Sequence, residues 1–240
     1  MGEIWILTLT AISIAFVHTI IGPDHYLPFI VMSKARNWSL FKTIRVTFFC
    51  GIGHVMSSVV IGIIGIVAGI ALNKLEFFEE YRGNIAAWAI ILFGLGYTIY
   101  GIIKATNQHT HTHVHINEDG SYEKHKHSHS HTQSETHKHK DSGSQKANIT
   151  PWILFTIFLL GPCEPLIPLL MFPAAELSVI GIVIVAGAFS IVTIATMIAI
   201  VFLAYRGISF IKTNILEKYI HALAGVMILL SGLAIVFLGL

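Results

Sequence analysis

"HTIIGPDHYLPFI", residues 18–30, sets the reading of the whole chain. It begins inside an apolar run long enough to cross a membrane, yet holds two histidines, an aspartate and two prolines. Hydrocarbon offers no water to an ionisable side chain, nor to a backbone group that a proline leaves unpaired. His18, Asp24 and His25 in such a place point to an interior site lined by protein or water. Pro23 and Pro28 point to a helix interrupted beside it.

The surrounding composition agrees. The 240 residues are 54% hydrophobic and 12% charged, about half the charged share of a soluble domain, and the mean hydropathy is +0.73. An integral membrane protein is expected. The net charge of +2 says little about partners, because the basic residues sit in loops, and no nucleic-acid partner is expected. Cys50 and Cys163 lie within such runs, so no secreted disulfide framework is expected. The amino-terminal stretch has an acid and no positive n-region, and reads as a retained first span.

Six spans are expected, near 4–22, 46–72, 85–104, 151–171, 178–204 and 219–240, each about the ~20 residues that a crossing helix needs. Between the third and fourth lies a polar insert, 105–149, rich in His, Lys, Ser and Thr. That composition cannot build a core, so disorder is expected there. Thirteen of the fifteen Lys and Arg fall on one side of these spans, leaving Lys74 and Arg82 on the other. The bias places the insert in the cytoplasm and both termini outside an inner or plasma membrane.

The opening motif recurs. "IIGPDHYLPFIVM" (20–32) and "LLGPCEPLIPLLM" (159–171) share Gly-Pro, two polar or reactive residues, a proline and an apolar run ending in Met. The offset of 139 also carries spans two and three onto five and six. The expected fold is thus all-α: six transmembrane helices as two inverted three-helix repeats, each with a Pro-broken first helix. Residues 1–104 form the first repeat, 105–149 the insert and 150–240 the second. Inverted repeats with broken helices at the midplane build many secondary transporters.

Polar side chains at depth are few: His18, Asp24, His25, His54, Cys163 and Glu164. Imidazole, carboxylate and thiolate are the ligands of divalent first-row metals. These six are the candidate metal site, with Asp24, His25 and Glu164 at its centre. His54 sits in "CGIGHVMSS", where Gly51 and Gly53 permit close helix approach; its repeat counterpart is Thr193. Cys50 reads as core packing, His221 as interfacial and Glu176 as an outer-loop residue. The insert offers a second set: His109, His111, His113, His115, His125, His127, His129, His131, His137 and His139. Alternate histidines on one chain suit nickel, cobalt, zinc or copper.

"H-x5-D-H" in the first span, "GIGH" in the second and the His-rich loop resemble the nickel/cobalt transporters of the NicO type, and the related urease-accessory-like and sulfite-exporter-like membrane proteins. The resemblance covers the six spans. It implies a transporter of Ni²⁺ or Co²⁺ in which His18, Asp24, His25 and His54 handle the ion. The family's permease motif has four residues between the first His and Asp-His. Here there are five, "TIIGP", a shift of about 100° on a continuous helix. "GPCEPLIP" also resembles the Pro-Cys motif of transmembrane thiol-disulfide carriers of the cytochrome c biogenesis type, which use a cysteine from each half. The first-half position here is Asp24.

The expectation is therefore a secondary transporter of a divalent transition metal, nickel or cobalt first and zinc next, working as an exporter. It would have no enzymatic activity and no cofactor, with the lipid bilayer and the ion as its partners. A thiol-disulfide carrier using Cys50 and Cys163 and a sulfite or anion exporter are the alternatives. The insert yields a direct prediction. Imidazole must be neutral to bind metal, so binding is present above its ordinary pKa of ~6.5 and lost as pH falls through it. A peptide of residues 105–149 should bind Ni²⁺ at about pH 7.5 and release it at about pH 5.5 by calorimetric titration. Undiminished binding at the lower pH would contradict imidazole ligation.

Overall fold

A computed structural model describes residues 2–116, 122–130, 149–161, 163, 165–176, 178–208 and 214–238. Five of its helices are long and apolar enough to cross a membrane. Large apolar side chains stand exposed along their outer faces: Trp5, Ile6 and Leu9 on the first, Val183 and Ile191 on a later one. A water-soluble monomer seldom tolerates so much exposed apolar surface, whereas lipid covers it at no cost.

Helix α1 (Gly2–Ile21) ends at the opening motif. A 3-10 turn over Pro23–His25 follows, then α2 (Leu27–Ala35). The turn caps itself: the Gly22 amide donates to the His18 carbonyl at 3.0 Å and the His25 amide to the Gly22 carbonyl at 3.2 Å. The Tyr26 hydroxyl donates to the Ile20 carbonyl at 3.1 Å, which α1 leaves unpaired at its end. Pro28 sits in the first turn of α2, where no amide donor is needed. The Ser39 hydroxyl accepts from the Lys42 amide and caps α3 (Leu40–Val67). Helix α4 then runs 35 residues, Leu72–Thr106.

The second half shows the same order: α5 (Thr150–Leu160), a break, α6 (Leu166–Ala175), α7 (Val179–Ile208) and α8 (Asn214–Leu238). The region expected as one fourth span is thus two short apolar helices, because Gly161 is extended and Pro165 cannot continue a ladder. Helix α4 also departs from expectation. It starts at Leu72 rather than near residue 85, so Arg82, read as an outer-loop residue, lies inside a helix and is buried. Polar residues in 73–84 lower the local hydropathy, yet helix persists because the protein pairs or wets them.

The insert expected to lack order departs from that over two segments. Residues Gln108–Ile116 (β1) and Tyr122–Ser130 (β2) pair antiparallel. Alternating Thr and Val favour strand, and each strand satisfies the other's backbone. The register sets His109 opposite His129, His111 opposite His127 and His113 opposite His125. His131, His137 and His139 lie outside the described residues, as do the side chains of both strands.

The helices pack reciprocally: α1 on α7 and α5 on α3, α2 on α8 and α6 on α4, with α3 on α7 and α4 on α8 at the centre. Two buried clusters result. One gathers Phe29, Trp38, Cys50, Phe158 and Met197; the other gathers Val55, Cys163, Leu166, Leu170 and Phe189. Glycines set the closest approaches. Gly51 meets Ile194 and Met197 of α7, and Gly53 meets Phe155 of α5. A methyl group on Gly94 or Gly101 of α4 would collide with the backbone of Leu229 or Ala222 on α8. Backbone cannot step aside as a side chain can. Gly101→Leu is therefore expected to cost about 3 kcal/mol or abolish folding. Gly96→Ala, where a methyl meets nothing within 4 Å, should keep the wild-type melting temperature in detergent. Equal behaviour of the two variants would contradict the packing.

Candidate metal centre

The two helix breaks and the middle of α3 meet. His18 comes from the last turn of α1, His25 from the 3-10 turn and His54 from mid-α3. The His18 and His25 ring centroids are 4.8 Å apart, those of His25 and His54 5.0 Å, both edge to face. One donor atom each from His18, His54 and Cys163 lies within 4.8 Å of the others. The helix ends at Ile21, so the extra residue in "TIIGP" is absorbed by the turn and does not rotate His18 away.

Hydrogen bonding settles the tautomer of His25. Its Nδ1 lies 3.1 Å from the Gly22 carbonyl and 3.2 Å from Asp24 Oδ1, both acceptors. Nδ1 therefore carries the hydrogen, and neutral His25 offers the Nε2 lone pair inward. Asp24 acts through His25: a carboxylate behind an imidazole orients the ring and raises its basicity, as around metal-bound histidines. The Nε2 atoms of His18, His25 and His54 are all buried without a hydrogen-bond partner. Three unsatisfied buried nitrogens in one cluster are costly unless something binds them.

The donor set fits a borderline divalent cation. An ion with bonds of about 2.0–2.3 Å to nitrogen and sulfur holds its ligands about 3.5 Å apart, so the cluster would draw in by about 1 Å. His18, Asp24, His25 and His54 line a cavity of about 460 Å³ together with Phe158 and Gly161. Glu164 and Pro162 lie outside the described residues. Cys50 is buried in the cluster around Trp38 and Met197, apart from the cluster that holds Cys163, and neither cysteine is in a disulfide. Thr193, the repeat counterpart of His54, is buried, with its hydroxyl unpartnered. At the other end of α4, His221 is half-buried. Lys104 Nζ donates to its Nε2 at 2.8 Å, and Tyr97 Oη is 2.8 Å from its Nδ1.

Sequence reasoning missed the network beside the cluster. Arg82 Nη2 donates to Glu79 Oε2 at 2.8 Å, to Ser58 Oγ at 2.6 Å and to the Gly161 carbonyl at 3.2 Å. Ser58 Oγ donates to Glu79 Oε2 at 3.0 Å and accepts the Cys163 amide at 3.0 Å. Glu79 is 1% exposed and Arg82 7%. The network ties α3 and α4 to the break between α5 and α6, and so places Cys163. The available signal was Glu79 and Arg82 themselves, an acid and a base one helical turn apart.

Comparison with protein-family models, curated proteins and solved structures returns no match.

Removing one charge of a buried pair strands the other, at about 3–5 kcal/mol. Arg82→Met and Glu79→Gln should each destabilise the protein by about that much. The double replacement Glu79→Leu/Arg82→Met should lose less than the worse single variant. Thermal unfolding in detergent measures this, and additive losses would deny the coupling.

Proposed function

We propose that the chain is a membrane transporter of a divalent transition-metal ion, nickel or cobalt first, and that the ion is its substrate. One observation carries this reading: three buried imidazole Nε2 atoms without a partner, on rings in mutual contact, two of them, those of His18 and His54, on rings grouped with the Cys163 thiol. Nitrogen and thiolate ligands suit nickel, cobalt and zinc, and disfavour magnesium and calcium. A Cys163 thiolate and the Asp24 carboxylate would balance the two charges of the ion, and Glu164 belongs to the same motif.

We read the architecture as six membrane crossings in two inverted halves. Adding 139 to α3, 40–67, gives 179–206, against Val179–Ile208 for α7. Adding it to α2, 27–35, gives 166–174, against Leu166–Ala175 for α6. Reciprocal packing of α1 on α7 and α5 on α3 is what a two-fold relation between halves produces. Three crossings per half would reverse the orientation of the second.

Proton exchange follows from the same atoms. Nε2 of His25 holds a proton or a metal ion but not both, while Nδ1–H stays on Gly22 and Asp24. The metal would bind the neutral ring directly, or take the place of the Nε2 proton where the ring is imidazolium, and protonation of Nε2 would release the metal. The excess of Lys and Arg places the His-rich insert in the cytoplasm, where it would collect metal for export.

Asp24→Asn and His25→Ala should insert into the membrane normally and lose about 10- to 100-fold in metal affinity. Transport of Ni²⁺ and Co²⁺ in vesicles, with Zn²⁺ and sulfite for comparison, checks this. Cells expressing the wild type should tolerate more nickel and hold less of it. Wild-type transport by both variants would refute the site; greater nickel accumulation would reverse the direction.

A further inference from the structure

Among the polar residues of α4 without a role, Asn73, Glu76, Glu80 and Asn84 share one face, with the exposed Lys74 beside Asn73 as the one cation against the two carboxylates. Their spacings of three, four and four place them in one stripe about 16 Å long on one helix face. All four are exposed. A carboxylate facing hydrocarbon is heavily penalised, so in a membrane-embedded protein such a stripe must face water.

The space beside it is already shaped. Asn73, Glu76 and Glu80 line a pocket of about 640 Å³ against Pro165 and Pro168. Glu80 and Asn84 also line the cavity that holds the three histidines, and Pro165 borders both spaces. The two chambers therefore adjoin at Glu80. Independently of the acids, His25 and His54, each 3% exposed and with an unpartnered Nε2, line the inner chamber. Glu79 faces the outer chamber too, but its charge is met by Arg82. Charge reverses at the opposite end of α4, where a pocket is bounded by Lys34, Lys104 and Lys218. A cation is thus favoured at the Asn73 end and repelled at the Lys104 end.

We propose that the Asn73–Glu76–Glu80–Asn84 stripe is a hydrated access path for a divalent transition-metal cation. It joins the aqueous face at the Asn73 end, extracytoplasmic by loop charge, to the His18–His25–His54 cluster. The inference rests on the metal reading of that cluster. Carboxylates and water hold a transition metal loosely, whereas imidazole and thiolate hold it tightly. The path therefore offers a cation leaving the cluster a looser, hydrated ligand set on its way to the outer face, and does not trap it. Glu80, shared by both chambers, stands where the outer ligand set gives way to the inner one.

Cysteine accessibility tests the path in the full-length protein in intact cells. Glu76→Cys and Asn84→Cys, made singly, are treated with a membrane-impermeant maleimide, and peptide mass spectrometry locates the label. Both should be labelled from outside. Externally added Ni²⁺ should slow labelling of Asn84→Cys, and Mg²⁺ should not. Adding Glu80→Gln should raise the Ni²⁺ concentration needed for half-protection about three- to tenfold, and Glu80→Asp should restore it. Labelling only from the cytoplasmic face, or protection indifferent to Glu80→Gln, would overturn the path. Ni²⁺ binding to the purified full chain with the ten insert histidines replaced by serine, with and without His25→Ala, separates the two readings. Binding lost in His25→Ala without outside labelling fails the path alone; binding unchanged in His25→Ala fails the metal reading beneath it.

Discussion

A chain that interrupts its helices inside an apolar layer must pair every backbone group that the interruption frees, because no solvent will. That constraint organises this protein. At the first break, Gly22 and His25 amides find carbonyls within the turn, and Tyr26 reaches back to Ile20. The second break closes on itself in part, the Gly161 amide on Ile157 and Phe158 and the Leu166 amide on the Cys163 carbonyl. Its Gly161 carbonyl and Cys163 amide are satisfied from outside, by Arg82 and Ser58. The buried ion pair on α4 therefore exists where unpaired backbone needs it.

The same arrangement explains why reactive side chains cluster. A break draws together residues that a continuous helix would hold two turns apart, about 10.5 Å along its axis. His18, at the end of α1, and His25, in the turn, come edge to face although they are seven residues apart across the break. The second break brings Cys163 to the same place from the other half of the chain. Small residues on α3 allow this approach, with Gly53 against Phe155 of α5. Backbone satisfaction, close packing and ligand geometry are here one problem with a shared solution around Ser58 and His54.

Polarity runs along α4 in a way that matches this centre. Its early half carries carboxylates and amides toward the cavity, its middle supplies the glycines that seat α8, and its far end meets lysines and His221. One helix thus combines a wet face, a packing face and a basic terminus. The length of 35 residues, about 52 Å, is what allows it.

Local chemistry in the sequence was enough to settle the apolar helices, the two Gly-Pro breaks and the identity of the polar residues near them. Hydropathy and proline act on their own neighbourhood, so they are readable in one dimension. His18, His25, His54 and Cys163 could be named as candidates because few polar residues sit in apolar runs. The repeat predicts that they meet, but the geometry of the meeting could not be read there, since it depends on which helices face each other over more than a hundred residues. The same limit hid Arg82. By hydropathy it belonged to a loop; only Ser58 of α3 and Gly161 beyond α5 make it a buried residue. Whether a charge lies in water or within the fold is decided by its distant neighbours, and those are a property of tertiary structure alone.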